Sequence, residues 1–373
     1  MRRLQRGRAV RGRRAVTLGV ALTAAGAVAA CGSSASSSSG SATASSATVS
    51  LATSTATSTE SWAVLPVSSD PTFWQIFSRT GNSPDWKLVT PPGVAINGGI
   101  VAAAGATSGL TAAVLPSQDL TFSPLAATAN GGASWATGGP ISGAVAASPG
   151  ALAADGGNLA TVLSDGTIET SANAGTSWST LAKPGAIAAS PAAKGCGAFQ
   201  ITGLSFGSSS ANLLAAGTCG TGGTAAVFSY SPGAGWQRQT LPVSGQLVQF
   251  GGGTALVDAK AGLTELSGGT GWTSSSPLAV SGTVTASGSL ADGGAWALLS
   301  GGRAAVIDGA GQSWQSLPTV PTRTAVLAAG PTGAIDALAI SGSTLTVWQL
   351  VSGATAWSKV ETINVPIQYG SSS

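Results

Sequence analysis

The feature that most constrains this chain is the stretch Ser171-Ala-Asn-Ala-Gly-Thr-Ser-Trp178, a unit that recurs in worn form from about residue 60 to the end. A hydroxyl residue, an amide, a glycine and a tryptophan stand at relative positions 1, 3, 5 and 8, and Thr128-Ala-Asn-Gly-Gly-Ala-Ser-Trp135 repeats all four. Partial copies keep the glycine and the aromatic, as Gly311 with Trp314, Gly233 with Trp236 and Gly269 with Trp272. Trp86 and Trp357 keep the aromatic with Gly81 and Gly353 nearby. Tryptophans 86, 135, 178, 236, 272, 314 and 357 are separated by 49, 43, 58, 36, 42 and 43 residues. A period of about 40–50 residues built from short apolar runs is the signature of one four-stranded blade per repeat. The chemistry of the unit is that of a turn. An Asx or Ser/Thr side chain holds nearby backbone amides, glycine supplies a positive φ, and the tryptophan opens the next strand beside the turn.

The residues that carry this unit, Asn130, Gly132 and Trp135 with Asn173, Gly175 and Trp178, resemble the Asp-box or BNR repeat of sialidase-like propellers. The resemblance spans roughly residues 61–370, with asparagine where the family prefers aspartate. It implies an all-β propeller of seven four-stranded blades, and it implies that the box is a structural turn on the outer side of each blade.

The strand runs can be laid along this period. Gly99–Ala104, Thr111–Leu115 and Leu120–Ala126 precede the Trp135 strand, and Leu159–Leu163 joins Thr167–Thr170 through Ser164-Asp165-Gly166. An Asp-Gly pair between apolar runs is a strong hairpin signal. The first repeat offers Ser61–Val67, Thr72–Phe77 and Trp86–Val89 but no strand before them. The run Ile363-Asn-Val-Pro-Ile-Gln-Tyr369 is left over at the end. The expectation is that this tail supplies the missing inner strand and closes the ring, although Pro366 cannot donate to a ladder.

Residues 1–14 carry seven arginines and no acid, and residues 15–30 are largely apolar and end before Cys31. A basic start and a short apolar run read as a signal peptide, too short for a membrane span. Val28-Ala29-Ala30-Cys31 resembles the lipobox of bacterial lipoproteins, which implies a diacylated, palmitate-bearing Cys31 and a cell-membrane anchor facing the extracytoplasmic side. Arg13-Arg14 also resembles a twin-arginine signal, so both export routes stay open. Residues 31–60 are nearly all Ser, Ala, Thr and Gly and are expected to be a disordered tether, with the propeller over 61–373. Past Cys31 there remain nine Lys and Arg against 13 Asp and Glu, a formal charge of 9 − 13 = −4. The basic character of the whole chain therefore belongs to the signal segment, and nothing points to nucleic acid.

Two further cysteines, Cys196 and Cys219, flank the expected strands Phe199–Phe206 and Asn212–Thr218 at neighbouring ends. An even pair in an oxidising exterior is expected to form a disulfide. The chain has no histidine, so His-containing metal sites and Ser-His-Asp triads are excluded, and no metal or cofactor is expected. A sialidase-like site needs an arginine triad, a tyrosine with a glutamate partner, and an aspartate. After Cys31 the arginines are Arg79, Arg238, Arg303 and Arg323 and the tyrosines Tyr230 and Tyr369, none in the family's Arg-Ile-Pro type context. No residue is given a catalytic role.

One constellation suggests a ligand rim. The loops between second and third strands would carry Asp70, Asp119 and Asp165 on one side and Lys260 and Arg303 on the other. The expected role is a non-enzymatic binding or scaffolding module for an envelope protein or cell-wall glycan. The alternatives are a glycan-active hydrolase of sialidase-like architecture and an assembly factor for a membrane complex.

Overall fold

The computed structural model describes residues 53–56, 60–66, 74–81, 83–91, 100–106, 109–114, 125–137, 149–207, 209–268, 271–279, 282–290, 293–309 and 313–365. These residues form strands, turns and two short 3-10 turns, Pro191–Ala193 and Pro331–Gly333. The first sheet holds β1 (Thr53–Ala56), β2 (Glu60–Pro66), β3 (Trp74–Thr80) and β4 (Lys87–Leu88). The second holds β5 (Ile100–Ala106), β6 (Gly109–Val114), β7 (Leu125–Thr128) and β8 (Ala136–Thr137). The third holds β9 (Pro149–Asp155), β10 (Asn158–Leu163), β11 (Ile168–Ser171) and β12 (Ser179–Ala182). The fourth is a sheet of eight strands. Its first half is β13 (Phe199–Phe206), β14 (Leu213–Cys219), β15 (Thr224–Ser231) and β16 (Gly235–Arg238). Its second half is β17 (Gly245–Gly251), β18 (Thr254–Ala259), β19 (Gly262–Ser267) and β20 (Thr273–Ser274). The two halves meet through a single residue pair, Thr224 with Gln246. The fifth sheet is β21 (Val284–Ser289), β22 (Ala295–Leu299), β23 (Arg303–Ile307) and β24 (Gln315–Ser316). The sixth is β25 (Thr324–Ala329), β26 (Ile335–Ser341), β27 (Thr344–Leu350) and β28 (Ser358–Asn364).

Apart from that one contact between β15 and β17, every pairing among the described residues is antiparallel between chain neighbours, so each group of four is a meander. The first strands stand side by side in chain order, β1 by β5, then β9, β13, β17, β21 and β25, and β25 returns to β1. Four-stranded antiparallel meanders arranged radially in this way are the architecture of a β-propeller.

Because each sheet is packed on both faces, its middle strands read as continuous apolar runs rather than as alternation. In β2, Trp62 and Val64 face the second sheet with Trp74 and Ile76 of β3, against Leu110 and Ala112. Ala63 and Leu65 face the other way with Phe77, into a cluster with Val326, Leu338 and Val347 of the last sheet. The same period-2 rule therefore serves two interfaces at once. The largest wholly buried rings are Trp62 and Trp296, both on second strands. Of the seven repeat tryptophans only Trp86 is fully buried, while the other six are half-buried at the sheet margins.

The ends of the sheets define two rims. The upper rim carries the hairpins between second and third strands and the connections from each sheet to the next. The lower rim carries the turns between first and second and between third and fourth strands. Hydrogen bonds across neighbouring sheets keep the lower ends level: Ser78 Oγ donates to Gly131 O at 2.9 Å, and Gly253 N donates to Ser205 Oγ at 3.0 Å.

The inner strand of the first sheet differs from the expectation. The inner strand of the first sheet is β1, which pairs with β2 in the register Thr53 with Val64 and Ala56 with Ser61. Residues 53–56 lie inside the segment expected to be tether; threonine and alanine there are short but tolerate the extended backbone, and the exposed edge of β2 supplies their hydrogen bonds. Ile363 and Asn364 of the tail instead end β28, opposite Leu345 and Thr344, and Tyr369 lies outside the described residues. Val365 then donates to Ser343 O at 2.7 Å and is buried, fixing the end of the last sheet.

Deletion of residues 53–56 is expected to destabilise the domain by about 2 kcal/mol or more, because β2 loses its hydrogen-bonded partner. Thermal unfolding of that variant, beside a chain truncated after Val365 that should melt like the intact protein, checks the assignment of the inner strand.

Candidate functional site

The two full turn units sit where the third strand hands over to the fourth, between β7 and β8 and between β11 and β12. Their hydrogen bonding is the same. The first hydroxyl, Thr128 Oγ1 or Ser171 Oγ, accepts from the glycine N–H of Gly132 or Gly175 at 3.0 and 2.9 Å, and donates to the asparagine Oδ1 at 2.9 Å in both turns. Asn130 and Asn173 also accept from the N–H of Ser134 and Ser177 at 2.9 Å and donate through Nδ2 to those serines' Oγ at 2.8 and 2.9 Å. The serine before the tryptophan is thus a fifth member of the unit. Sequence reading missed it, although the same serine stands again at Ser313 before Trp314.

The glycines are needed for different reasons. Gly132 has φ +84, and a Cβ there would lie 2.4 Å from the side chain of Val89. Trp135 Nε1 donates to Val89 O at 2.7 Å, so the turn is pressed against the end of the preceding sheet. Trp357 makes the equivalent bond to Pro318 O at 3.2 Å, whereas Trp178 turns back to Gly175 O at 3.0 Å. Ala174, at φ 55, holds the left-handed position that Gly131 fills in the other copy at φ 68.

A second cluster, not anticipated from the sequence, joins the first sheet to the last. Arg79 of β3 and Asp336 of β26 are both buried, with Nε 3.6 Å from Oδ2. Asp336 accepts from Trp86 Nε1 and Gln349 Nε2, each at 3.0 Å. The Arg79 guanidinium donates to the carbonyls of Gly81 and Ser83 at 3.2 and 3.1 Å, to Ser61 Oγ at 3.2 Å and to Ala329 O. Its centre lies 5.6 Å from the Trp86 ring. Trp86 N donates to Glu361 Oε2 of β28 at 2.9 Å. Burial pushes the Asp336 carboxyl up, against the hydrogen bonds from Gln349 and Trp86 and the charge of Arg79. Burial also raises Glu361, helped by Asp85 and Asp336 and opposed by the Trp86 N–H. The available signal was the lone arginine inside the apolar strand Trp74-Gln-Ile-Phe-Ser-Arg-Thr80: a strand covered on both faces leaves a charge in need of a partner.

The other expected site residues fall as follows. Cys196 and Cys219 form a disulfide with Cα atoms 4.7 Å apart, which ties the connection before β13 to the upper end of β14. Asp165, Lys260 and Arg303 all lie at upper-rim hairpins and are exposed. Asp165 accepts from Thr167 N at 2.8 Å and from Thr167 Oγ1 at 3.0 Å, the work of a turn residue. Asp70, Asp119 and Cys31 lie outside the described residues. Tyr230 pairs with Trp236 across β15 and β16, ring centroids 5.2 Å apart, on the flank of its sheet. Arg238 is on the outer strand β16, and Arg323, at φ 66, is exposed on the upper rim with Nη1 donating to Ser341 Oγ. The structure thus does not gather the arginines and Tyr230 at one place. Among the described residues no group of three or more His, Cys, Asp or Glu could hold a metal ion.

No protein-family model matches the sequence, and no curated protein matches it. Solved structures do. YCF48 bound to a D1 peptide is 16% identical over 70% of this chain and 81% of that one, with a TM-score of 0.45. Streptogramin B lyase is 11% identical over 77% and 89%, with a TM-score of 0.49. A GH74 xyloglucanase from Xanthomonas campestris is 15% identical over 80% of this chain and 51% of that one, with a TM-score of 0.48. Similarity at this level carries no argument about activity, and the propeller assignment rests on the strand order itself.

Two outcomes follow from the geometry. Ala174→Gly should stabilise the domain by about 0.5–1 kcal/mol by removing a Cβ from a left-handed position, while Asn173→Ala should cost about 1 kcal/mol through its lost turn bonds; denaturant unfolding measures both. For the joint, carboxyls raised in the folded state bind protons more tightly folded than unfolded. Their contribution therefore grows as pH falls from neutral towards the ordinary values of 3.8 for aspartate and 4.5 for glutamate, and is lost as pH rises through the folded values. Glu361→Gln, which keeps an acceptor for Trp86 N, should flatten this slope and raise the melting temperature at neutral pH.

Proposed function

We propose that this protein is a membrane-anchored, extracytoplasmic β-propeller of seven blades that works as a non-enzymatic binding or scaffolding module, its turns being of the Asp-box type. The two halves of the eight-stranded sheet count as separate blades, since one residue pair joins them. The anchor is diacylated Cys31, the new N-terminus after removal of residues 1–30, and the partner is an envelope protein or a cell-wall glycan met near the membrane.

The observation that carries this reading is the division of labour between the rims. The lower rim is occupied by turn chemistry and by the buried Arg79–Asp336 joint. The upper rim holds a disulfide-braced connection and the exposed charged side chains Asp165, Lys260 and Arg303. The disulfide supports an oxidising compartment. Asp70 and Asp119, on chain segments that join second to third strands, would extend the acidic side of that rim.

Proximity crosslinking in intact cells, with the protein on its own Cys31 anchor, tests the role. One or a few envelope proteins should be recovered, and recovery should fall about tenfold in a Lys260→Gln, Arg303→Gln double variant that melts normally, as expected when charge pairs set specificity. Unchanged recovery in that variant would count against the rim, and recovery of wall glycan alone would favour the glycan-active alternative.

A further inference from the structure

The route by which the chain enters the first sheet determines which rim lies nearest the anchor. β2 runs from Glu60 at the lower rim to Pro66 at the upper rim, where the chain crosses to β3. β1 is antiparallel to it, with Thr53 opposite Val64 near the upper end and Ala56 opposite Ser61 near the lower end. The chain therefore arrives at Thr53 from the upper rim, and it does so on the inner strand, not at the periphery. The segment from residue 32 to 52 is Ser, Ala, Thr and Gly with single Val and Leu residues, a composition from which the sequence leads one to expect a tether reaching roughly 25 Å on average.

The charges are divided along the same axis. After Cys31 the chain has five lysines and four arginines. Arg79 is buried in its ion pair, and Lys87, Arg238 and Lys359 are on the outer strands β4, β16 and β28. The remaining five, Lys183, Lys194, Lys260, Arg303 and Arg323, are all exposed on the upper rim. They come from different places: the β12–β13 connection, the β18–β19 hairpin, the start of β23 and the connection into β25. The described acids on that rim are Asp165, already engaged by Thr167, and Asp258 at the end of β18, while Asp70 and Asp119, which the sequence assigns to loops between second and third strands, lie outside the described residues. On the lower rim the order is reversed. Asp85, Asp155 and Asp308 are exposed there and Glu60 is half-buried. The domain thus presents a cationic arc at the end where β1 begins with Thr53.

We propose that the upper rim is the membrane-facing side of the domain, and that the arc from Lys183 to Arg323 binds anionic lipid headgroups and so sets the orientation of the anchored propeller. The proposal rests on the lipid-anchor reading above. Cations spread over several sheets suit an extended, laterally mobile surface of negative charge, whereas a compact anion needs donors that converge on one point. The tether keeps the rim within reach of that surface, and each basic residue near an anionic leaflet is worth about fivefold in partitioning. A membrane-embedded or membrane-proximal partner would then be met at this same rim.

The five lysines are internal reporters. Full-length mature protein, isolated with its anchor, is placed on vesicles of neutral phosphatidylcholine or of the same lipid with about 30 mol% phosphatidylglycerol, and amine acylation of each lysine is followed by mass spectrometry. Flotation and the mass of the N-terminal peptide report the anchor separately. On anionic vesicles Lys183, Lys194 and Lys260 should be acylated about threefold more slowly or less, Lys87 and Lys359 unchanged. The protection should vanish near 0.5 M salt, where the screening length is roughly 4 Å. If the protein floats but all five lysines react alike on both vesicles, the orientation is wrong and the anchor reading stands. If it fails to float and Cys31 carries no lipid, both fall. Protection by inorganic phosphate on neutral vesicles would make the arc a small-anion site and overturn the membrane assignment.

Discussion

The contact between the first and last sheets carries much of this structure, and among the described residues no strand pairing joins the two. Two surfaces meet there: an apolar one, with Ala63, Leu65 and Phe77 against Val326, Leu338 and Val347, and a polar one centred on Arg79 and Asp336. Apolar burial supplies most of the attraction, at about 25 cal/mol for each square ångström removed from water. It does not fix position, since aliphatic surfaces tolerate sliding. A buried guanidinium does not. Displaced from Asp336 and from the carbonyl of Ala329, it would be left without its ionic partner, which costs about 3–5 kcal/mol when one partner of a buried pair is removed. Trp86 makes the arrangement cooperative, because its indole N–H holds Asp336 while its backbone N–H holds Glu361. The first and last sheets are thereby held together by four residues, Arg79, Trp86, Asp336 and Glu361.

The joints between consecutive sheets are cheaper and more local. An outer strand of two residues, such as β8, has little ladder of its own. The turn unit before it provides the order instead: a hydroxyl, an amide and a serine saturate the backbone donors of the turn, and a left-handed glycine lets it press on the neighbouring sheet. The tryptophan then reaches back, as Trp135 does to Val89 O and Trp357 to Pro318 O. The long connection before β13 has no such turn and is braced by Cys196–Cys219, whose 23-residue separation makes covalent closure worth about 3 kcal/mol in a chain-entropy account.

What the sequence made legible follows from these scales. Turn chemistry is local, so Asn173, Gly175 and Trp178 announced their roles, and the tryptophan period announced the meander. Hairpins were equally plain: Phe199–Phe206 has the expected bounds, and Asp165-Gly166 joins β10 to β11. Three things were hidden. Thr53–Ala56 is a strand only because β2 offers an unpaired edge, and in a run of Ser, Thr and Ala nothing local marks it. The tail had high β propensity, yet Ile363 and Asn364 extended the last outer strand, where Leu345 and Thr344 were already waiting. The Arg79–Asp336 contact spans almost the whole chain, and a pairing at that separation leaves no trace in spacing. Only the oddity of a charge within a doubly covered strand hinted at it.

The same closure constrains where function can reside. Each sheet must present two apolar faces to its neighbours, so the flanks between sheets are committed to packing, and the lower ends are committed to turns whose polar groups already bond one another. Variation that leaves the ring intact is confined to the upper ends, where hairpins such as 163–167 and connections such as 183–198 project beyond the ladders. Charged side chains are exposed there, Lys183, Lys194, Lys260, Arg303 and Arg323 among them, and β1 begins at the same end with Thr53.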